Sequence, residues 1–469
     1  MHQNRTNRSI DLPNGSTRSN IHFVKKDQAQ TFGRLPRRAA PVDELSCYIK
    51  RLCQSCLFIN DPYEKSLLQK YEQDLHSLRS ELPLLGIFLP KKPQAAPRPL
   101  QYRTTFKLAV REARTRNKTE EAEGGRKIAI GLFEPDSHRI VDISSCPIHV
   151  PILQKLIHLL KSELEKENTM RPWKERISPK GDEPKSEEGE KTPELRYVVA
   201  KSCHISGDTS LLFVVTDPSA KTSLLPMIRS LRRQGVRITS AAMNINTSTG
   251  NAILGETTLP LLEPALLKTS LAGFSLQFSP TSFMQVNPWQ AEQIYNRISQ
   301  LAGISRTSSE PVTAWDLYCG VGIISMILAQ NGYKVLGMEE NSAAIQDAHE
   351  NREKNQITRH SLHFMSARVE DSFDSIPVWA QKPKLIVMNP SRRGLHESVR
   401  EKLKALAAGP DLEQIIYVSC DVKTFARDLK SLTESSCLKL RQLEAYDMFA
   451  QTDKLEWLAI LNVCHEGRP

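Results

Sequence analysis

Val312-Thr313-Ala314-Trp315-Asp316-Leu317-Tyr318-Cys319-Gly320-Val321-Gly322 opens the part of the chain that decides its fold. The apolar run to Leu317 reads as a strand, and the glycines after it read as a tight turn. A helix pattern follows over Ile323–Gln330. Lys334-Val335-Leu336-Gly337-Met338-Glu339 is a second strand that ends in an acid. Strand, glycine turn, helix and strand make the βαβ opening of a doubly wound parallel sheet. Glycine lets the backbone approach a ligand closely. An acid closing the second strand suits ribose hydroxyls. The phosphate-binding glycine pattern is incomplete, because position 325 is Ser. The turn therefore points to S-adenosylmethionine rather than a dinucleotide.

Downstream, strands and helices keep alternating. The spacing predicts a helix over 341–354 and strands at Leu362–Met365 and Lys384–Met388. The second of these ends in Asn389-Pro390-Ser391-Arg392-Arg393-Gly394. A polar residue at that strand end sits where substrate and methyl donor meet in such folds. The strand Ile415–Val418 delivers Cys420 to a turn before a further helix. A helix dipole there favours the thiolate, which is how α/β enzymes present a nucleophile. By itself a single cysteine is more often a small apolar filler. The last strand, Leu455–Val463, carries Glu456 at its start.

Upstream, Cys47-Tyr48-Ile49-Lys50-Arg51-Leu52-Cys53-Gln54-Ser55-Cys56 places three cysteines within ten residues, in a chain with nine overall. A two-residue gap lets neighbouring sulfurs converge on one metal. Cys146, in a polar turn after a strand, is the best fourth ligand, with Cys203 as the rival. Four thiolates allow either a [4Fe–4S] cluster or structural zinc, and spacing leaves both open.

These features divide the chain into four regions. Residues 1–42 form a basic arm expected to be disordered; its first forty residues hold eight Lys/Arg against two acids. Residues 43–99 hold the cysteine cluster and a helix over 61–82. Residues 100–280 form a central α+β domain interrupted by a flexible Lys/Glu/Pro-rich insertion at 165–194. Residues 281–469 form the α/β catalytic domain. Within the last region, Ser282-Phe283-Met284-Gln285-Val286-Asn287-Pro288 is polar and aromatic where a linker would be plain.

Basic residues exceed acidic ones by 63 − 53 = 10, which favours a polyanionic partner. No apolar run approaches the roughly 20 residues a membrane helix needs. No apolar segment of export type opens the chain. A cytoplasmic, monomeric protein is expected, without membrane association.

The set of motifs resembles the RNA uracil-5 methyltransferase family. It consists of Phe283-Met284-Gln285-Val286-Asn287, Asp316–Gly322, Asn389–Gly394, Ser419-Cys420 with Ala426-Arg427-Asp428-Leu429, and Asp447-Met448-Phe449 with Glu456. The resemblance covers about 45 to 463. It implies that Gln285, Tyr318, Gly320, Glu339 and Asn389 bind S-adenosylmethionine, that Cys420 is the nucleophile and that Glu456 is the base. It also implies a [4Fe–4S] cluster on Cys47, Cys53, Cys56 and Cys146. Asn389, the short cysteine box and the lack of an N-terminal RNA-binding barrel are similar to the 23S rRNA uracil-747 subgroup. Ser391, Ala450 and Lys454 depart from the family pattern.

Four functions follow from this reading. The first is methylation of C5 of a 23S rRNA uridine through a cysteine–C6 adduct, with an unpaired base flipped out of its stack. The second is the same chemistry on another 23S uridine or on tRNA. The third is amino-methylation at the Asn389-Pro390-Ser391 corner, which needs no cysteine nucleophile. The fourth is a non-catalytic RNA-binding or assembly factor, against which the Cys420–Glu456 pair argues.

Overall fold

A computed structural model describes residues 47, 49–82, 88–89, 92–113, 127–166, 170–173, 193–248, 250, 252–304 and 312–464. The basic arm at 1–42 and most of the 165–194 insertion lie outside the described residues.

The catalytic sheet has seven strands. Their order is Leu362–Ser366, Lys334–Glu339, Thr313–Leu317, Leu385–Met388, Gln414–Ser419, Glu456–Val463, Leu438–Tyr446. The first five run parallel. Glu456–Val463 runs antiparallel to both of its neighbours. Thr313–Leu317 and Leu385–Met388 are buried at every position, because helices cover both faces of the sheet; hence their unbroken apolar runs. Trp315 lies at the centre, its Nε1–H donating to the Ala380 carbonyl at 2.8 Å. Strand order reverses between Thr313–Leu317 and Leu385–Met388, which opens a crevice at their C-terminal ends.

Apolar side chains pack on both faces. One face buries Ile294 and Ile298 of the helix Pro288–Ala302 together with the hairpin Leu267–Leu271/Phe274–Phe278. The other face buries Phe425, Leu429 and Leu432 of the helix Val422–Thr433. A helix from far upstream, Tyr63–Glu81, joins this second core through Leu67, Tyr71, Leu75 and Leu78; Leu68, which the helical spacing also puts on this stripe, lies off it and is exposed. Tyr71 stacks on Trp457 at 5.7 Å between ring centroids. The Trp457 indole donates to Asp74 at 2.7 Å.

The central region is a separate mixed sheet. Its order is Ile140–Asp142, Ile128–Phe133, Thr105–Glu112, Glu194–Ser202, Thr209–Val215, Ile238–Ile245, Thr257–Pro260, with Arg171–Pro172 beside Glu194–Ser202. The helices Pro151–Glu165 and Lys221–Arg233 bury their apolar stripes in its core. Cys47, Cys53 and Cys146 pack against that same core.

Three elements go beyond the sequence expectations. Leu438–Tyr446 is an edge strand whose Lys, Arg, Gln and Glu side chains interrupt the apolar pattern. The helix Glu397–Ala408 buries only Val399, Leu403 and Ala407, a stripe too thin to stand out. The hairpin turn Ala272-Gly273 has φ of 51° and 81°, the positive values that a two-residue turn needs to match strand twist. Among the described residues no helix is long and apolar enough to cross a membrane.

Candidate active site

The glycine turn is built on positive φ: Tyr318 at 63°, Gly320 at 54° and Gly322 at 84°. Tyr318 pays for this backbone with strain that ordinary side chains avoid. At Gly322 a Cβ would lie 2.6 Å from the Phe364 ring, so the helix Ile323–Gln330 can start there only from glycine. The Glu339 carboxylate braces the turn. It accepts from the Gly320 N–H at 3.2 Å and from the Asn341 N–H at 2.9 Å. Glu339 therefore shapes the crevice. The Asn389 N–H donates to the Leu317 carbonyl at 3.3 Å, so Tyr318 and Asn389 flank the crevice where strand order reverses.

Beneath the turn, Asp316 is fully buried and accepts from the Ser325 hydroxyl at 2.5 Å. Burial pushes its carboxyl up to about 7. Tyr295 is buried beside it. Burial raises its hydroxyl pKa, the charges of Asp316 and Glu456 raise it further, and a hydrogen bond to Gln285 lowers it. Gln285 is thereby tied to buried Tyr295. Asn287 caps the helix Pro288–Ala302 through the Gln290 N–H at 3.2 Å, and its Nδ2 donates to the Met448 carbonyl at 3.2 Å.

Cys420 and Glu456 meet through strand register. Ser419 pairs with Trp457 in the antiparallel ladder; one step further, Cys420 faces Glu456. Glu456 is 4% exposed, and burial pushes its carboxyl up to about 8. The sequence expectation that a helix dipole favours the Cys420 thiolate is corrected here. Burial first, and the Glu456 charge second, raise this thiol above its ordinary value. Desolvation and a neighbouring carboxylate both oppose a second negative charge.

The counterweight is Arg392. It donates a hydrogen bond to Cys420 and lowers its pKa, and it lowers that of Glu456 as well. Sequence reasoning gave Arg392 no role; its position three residues after Asn389, at the same strand end, was the available signal. Its loop is held rigidly. The Thr424 hydroxyl donates to the Arg392 carbonyl at 3.1 Å. Buried Asp428 accepts from the Leu395 N–H and the Tyr417 hydroxyl, each at 2.8 Å, and pairs with Arg400 at 3.1 Å. At Gly394, with φ of 70°, a Cβ would meet Asp428 at 2.4 Å.

Cys47, Cys53, Cys56 and Cys146 line one cavity with Arg103 and His149. The Cys56 thiol is pushed up to about 12, by burial first and then by Cys146, Cys53 and Cys47. Four thiols on one cavity are a donor set for iron–sulfur or zinc. Among the described residues, however, no three of His, Cys, Asp or Glu converge into a metal-holding group. Cys203 lies outside this lining, its thiol bonded to Thr269 at 3.2 Å.

The chain is similar to several known proteins. The family described as tRNA (Uracil-5-)-methyltransferase matches residues 272–463. An uncharacterized RNA methyltransferase of Thermosynechococcus vestitus is 30% identical over 458 residues, covering 96% of this chain and 91% of that protein. One from Geobacter sulfurreducens is 29% identical over 452 residues, covering 96% and 84%. The Pyrococcus abyssi tRNA (uracil-54, C5)-methyltransferase, solved with S-adenosyl-L-homocysteine, aligns with a TM-score of 0.60 at 24% identity. The alignment covers 87% of this chain and 86% of that one, a likeness of fold. With a relative 30% identical along nearly its whole length, the chain belongs to the RNA methyltransferase family, and it shares the α/β fold of the Pyrococcus abyssi enzyme.

Proposed function

We propose that the protein methylates C5 of a uridine in 23S rRNA, at a 747-type position, in the cytoplasm. The observation that carries the reading is the facing pair Cys420 and Glu456 with Arg392 against both. An amino-methyltransferase needs no such pair.

Uracil C5 is a weak nucleophile. The Cys420 thiolate, which Arg392 favours against the burial that raises the thiol, adds to C6 and pushes the ring electrons toward O4, which makes C5 nucleophilic. S-adenosylmethionine, when bound, supplies the electrophilic methyl group. Gln285, Tyr318, Gly320, Glu339 and Asn389 line the crevice that would hold it. C5 takes the methyl while still bearing its proton. Glu456 then removes that proton, and the returning electrons expel the Cys420 thiolate from C6. Burial suits Glu456 to this task, because a carboxylate with a raised pKa is a stronger base.

Cys47, Cys53, Cys56 and Cys146 would hold a [4Fe–4S] cluster, which would brace this part of the chain and position RNA. No electron enters or leaves in the methyl transfer.

The reading is tested by mapping 5-methyluridine in ribosomal RNA and tRNA from cells with and without the gene. Loss at a single 23S loop uridine is expected. Unchanged ribosomal RNA with loss in tRNA would overturn the rRNA assignment.

A further inference from the structure

We propose that Lys70, a residue outside the catalytic sheet, is a positioning residue for Glu456. The proposal rests on the cysteine-adduct reading above and adds a residue to it. Lys70 lies on the helix Tyr63–Glu81 and is 2% exposed. Its ammonium pairs with the fully buried Asp447 at 2.5 Å. The same nitrogen donates to the carbonyls of Phe449 at 3.4 Å, Thr452 at 3.4 Å and Lys454 at 3.2 Å. Asp447 closes one end of the loop that runs to Glu456, and Lys454 stands two residues before it. One buried cation thus gathers both ends and the middle of a loop that has no regular backbone ladder of its own.

The second Asp447 oxygen is also occupied, by the Tyr63 hydroxyl at 2.6 Å. That hydroxyl in turn accepts from the Ala96 N–H at 2.7 Å. The loop is touched again by the Tyr102 hydroxyl on Ala450 at 2.9 Å. Buried charges are costly unless paired and fully hydrogen-bonded. Here the whole coordination of Lys70 is spent on a segment whose next functional residue is Glu456. A stability role alone would be served as well by a well-packed apolar pair in place of both Lys70 and Asp447. Convergence on three loop carbonyls is what positioning requires, because each carbonyl fixes a different point of the loop.

The readout separates the two roles. Adduct formation needs Cys420 and Arg392, on other elements. Proton removal needs Glu456 in place. The neutral pair Lys70→Met/Asp447→Asn removes the clamp without stranding a buried charge. With ribosomal RNA from cells lacking the gene and methyl-labelled S-adenosylmethionine, this variant should form a labelled, denaturation-resistant protein–RNA adduct at the parental rate. Release of methylated RNA should fall about 100-fold, the scale set by an ångström of misplacement. Lys70→Arg keeps the charge but spreads its donors, and should show the same split at about 10-fold.

A folded neutral variant with parental release would overturn the proposal, and so would a proportional loss of adduct formation and release together. If the neutral pair does not fold, Lys70→Arg decides on the same two outcomes. Glu456→Gln, run in parallel, should trap adduct; absence of any adduct there would overturn the covalent reading itself rather than the role of Lys70.

Discussion

Arg392 is exposed, yet it acts on the half-buried Cys420 and the buried Glu456, whose charges oppose each other. At neutral pH, Glu456 with a pKa of about 8 is mostly protonated and must lose its proton before it can act as the base. Release of methylated RNA should therefore rise with pH to a plateau above about 8. Arg392→Gln removes the charge that lowers both groups. It should move this limb to higher pH and cut turnover at neutral pH about tenfold for each unit moved. An unmoved limb would separate Arg392 from Glu456.

The same group bears on stability. The folded pKa lies above the ordinary 4.5, so across the window from 4.5 to about 8 the native state holds one proton more than the unfolded chain. Stability falls as pH rises through that window. Glu456→Gln removes the slope. Above pH 8 the variant should be the more stable by on the order of 1–4 kcal/mol, read from urea midpoints at two pH values.

At the scale of elements, the helix Tyr63–Glu81 is the part most easily assigned to the wrong neighbour. Its Leu/Tyr stripe is plain in the sequence, but nothing there says which core receives it. It docks on the catalytic sheet beside Val422–Thr433, while Cys47 and Cys53 just before it pack on the central sheet. Leu78→Ala should cost about 2–5 kcal/mol, seen as a lowered denaturation midpoint, because Leu78 is fully buried in the catalytic core. Gly337 marks another tight contact. A Cβ there would lie 2.7 Å from the Phe364 ring and 2.8 Å from the Ser325 hydroxyl that holds Asp316. Gly337→Ala should cost about 1–3 kcal/mol and weaken S-adenosylmethionine binding measured by calorimetry.

The elements that build the crevice are legible in the chain because glycine, strand and acid recur at fixed spacing from Val312 to Glu339. The helices Ile323–Gln330 and Ser342–Lys354 fall where the pattern puts them. Leu438–Tyr446 is not legible, because an edge strand needs no continuous apolar run. Arg392 is missed for a related reason: an exposed arginine reads as solvent-facing until its neighbours across the fold are known. Lys70 is hidden more deeply still. A lysine on an amphipathic helix reads as its solvated face, and only tertiary structure brings Asp447 and three carbonyls to it.

At the scale of the whole molecule, the chain joins a catalytic sheet, a central sheet and a cysteine-lined cavity. Protein purified without oxygen should carry iron and sulfide and absorb near 400 nm, roughly, as thiolate-bound clusters do; zinc without iron on elemental analysis would contradict the cluster. The net charge of +10 predicts that RNA affinity falls steeply with salt, as bound phosphates release their counterions. The most direct test of the central claim is the covalent intermediate. Glu456→Gln protein incubated with ribosomal RNA from cells lacking the gene and methyl-labelled S-adenosylmethionine is denatured and resolved by size. The account predicts a labelled protein–RNA band that disappears when Cys420 is also changed to Ala. Methylated RNA released freely by the Cys420→Ala protein, with no adduct from either variant, would contradict it.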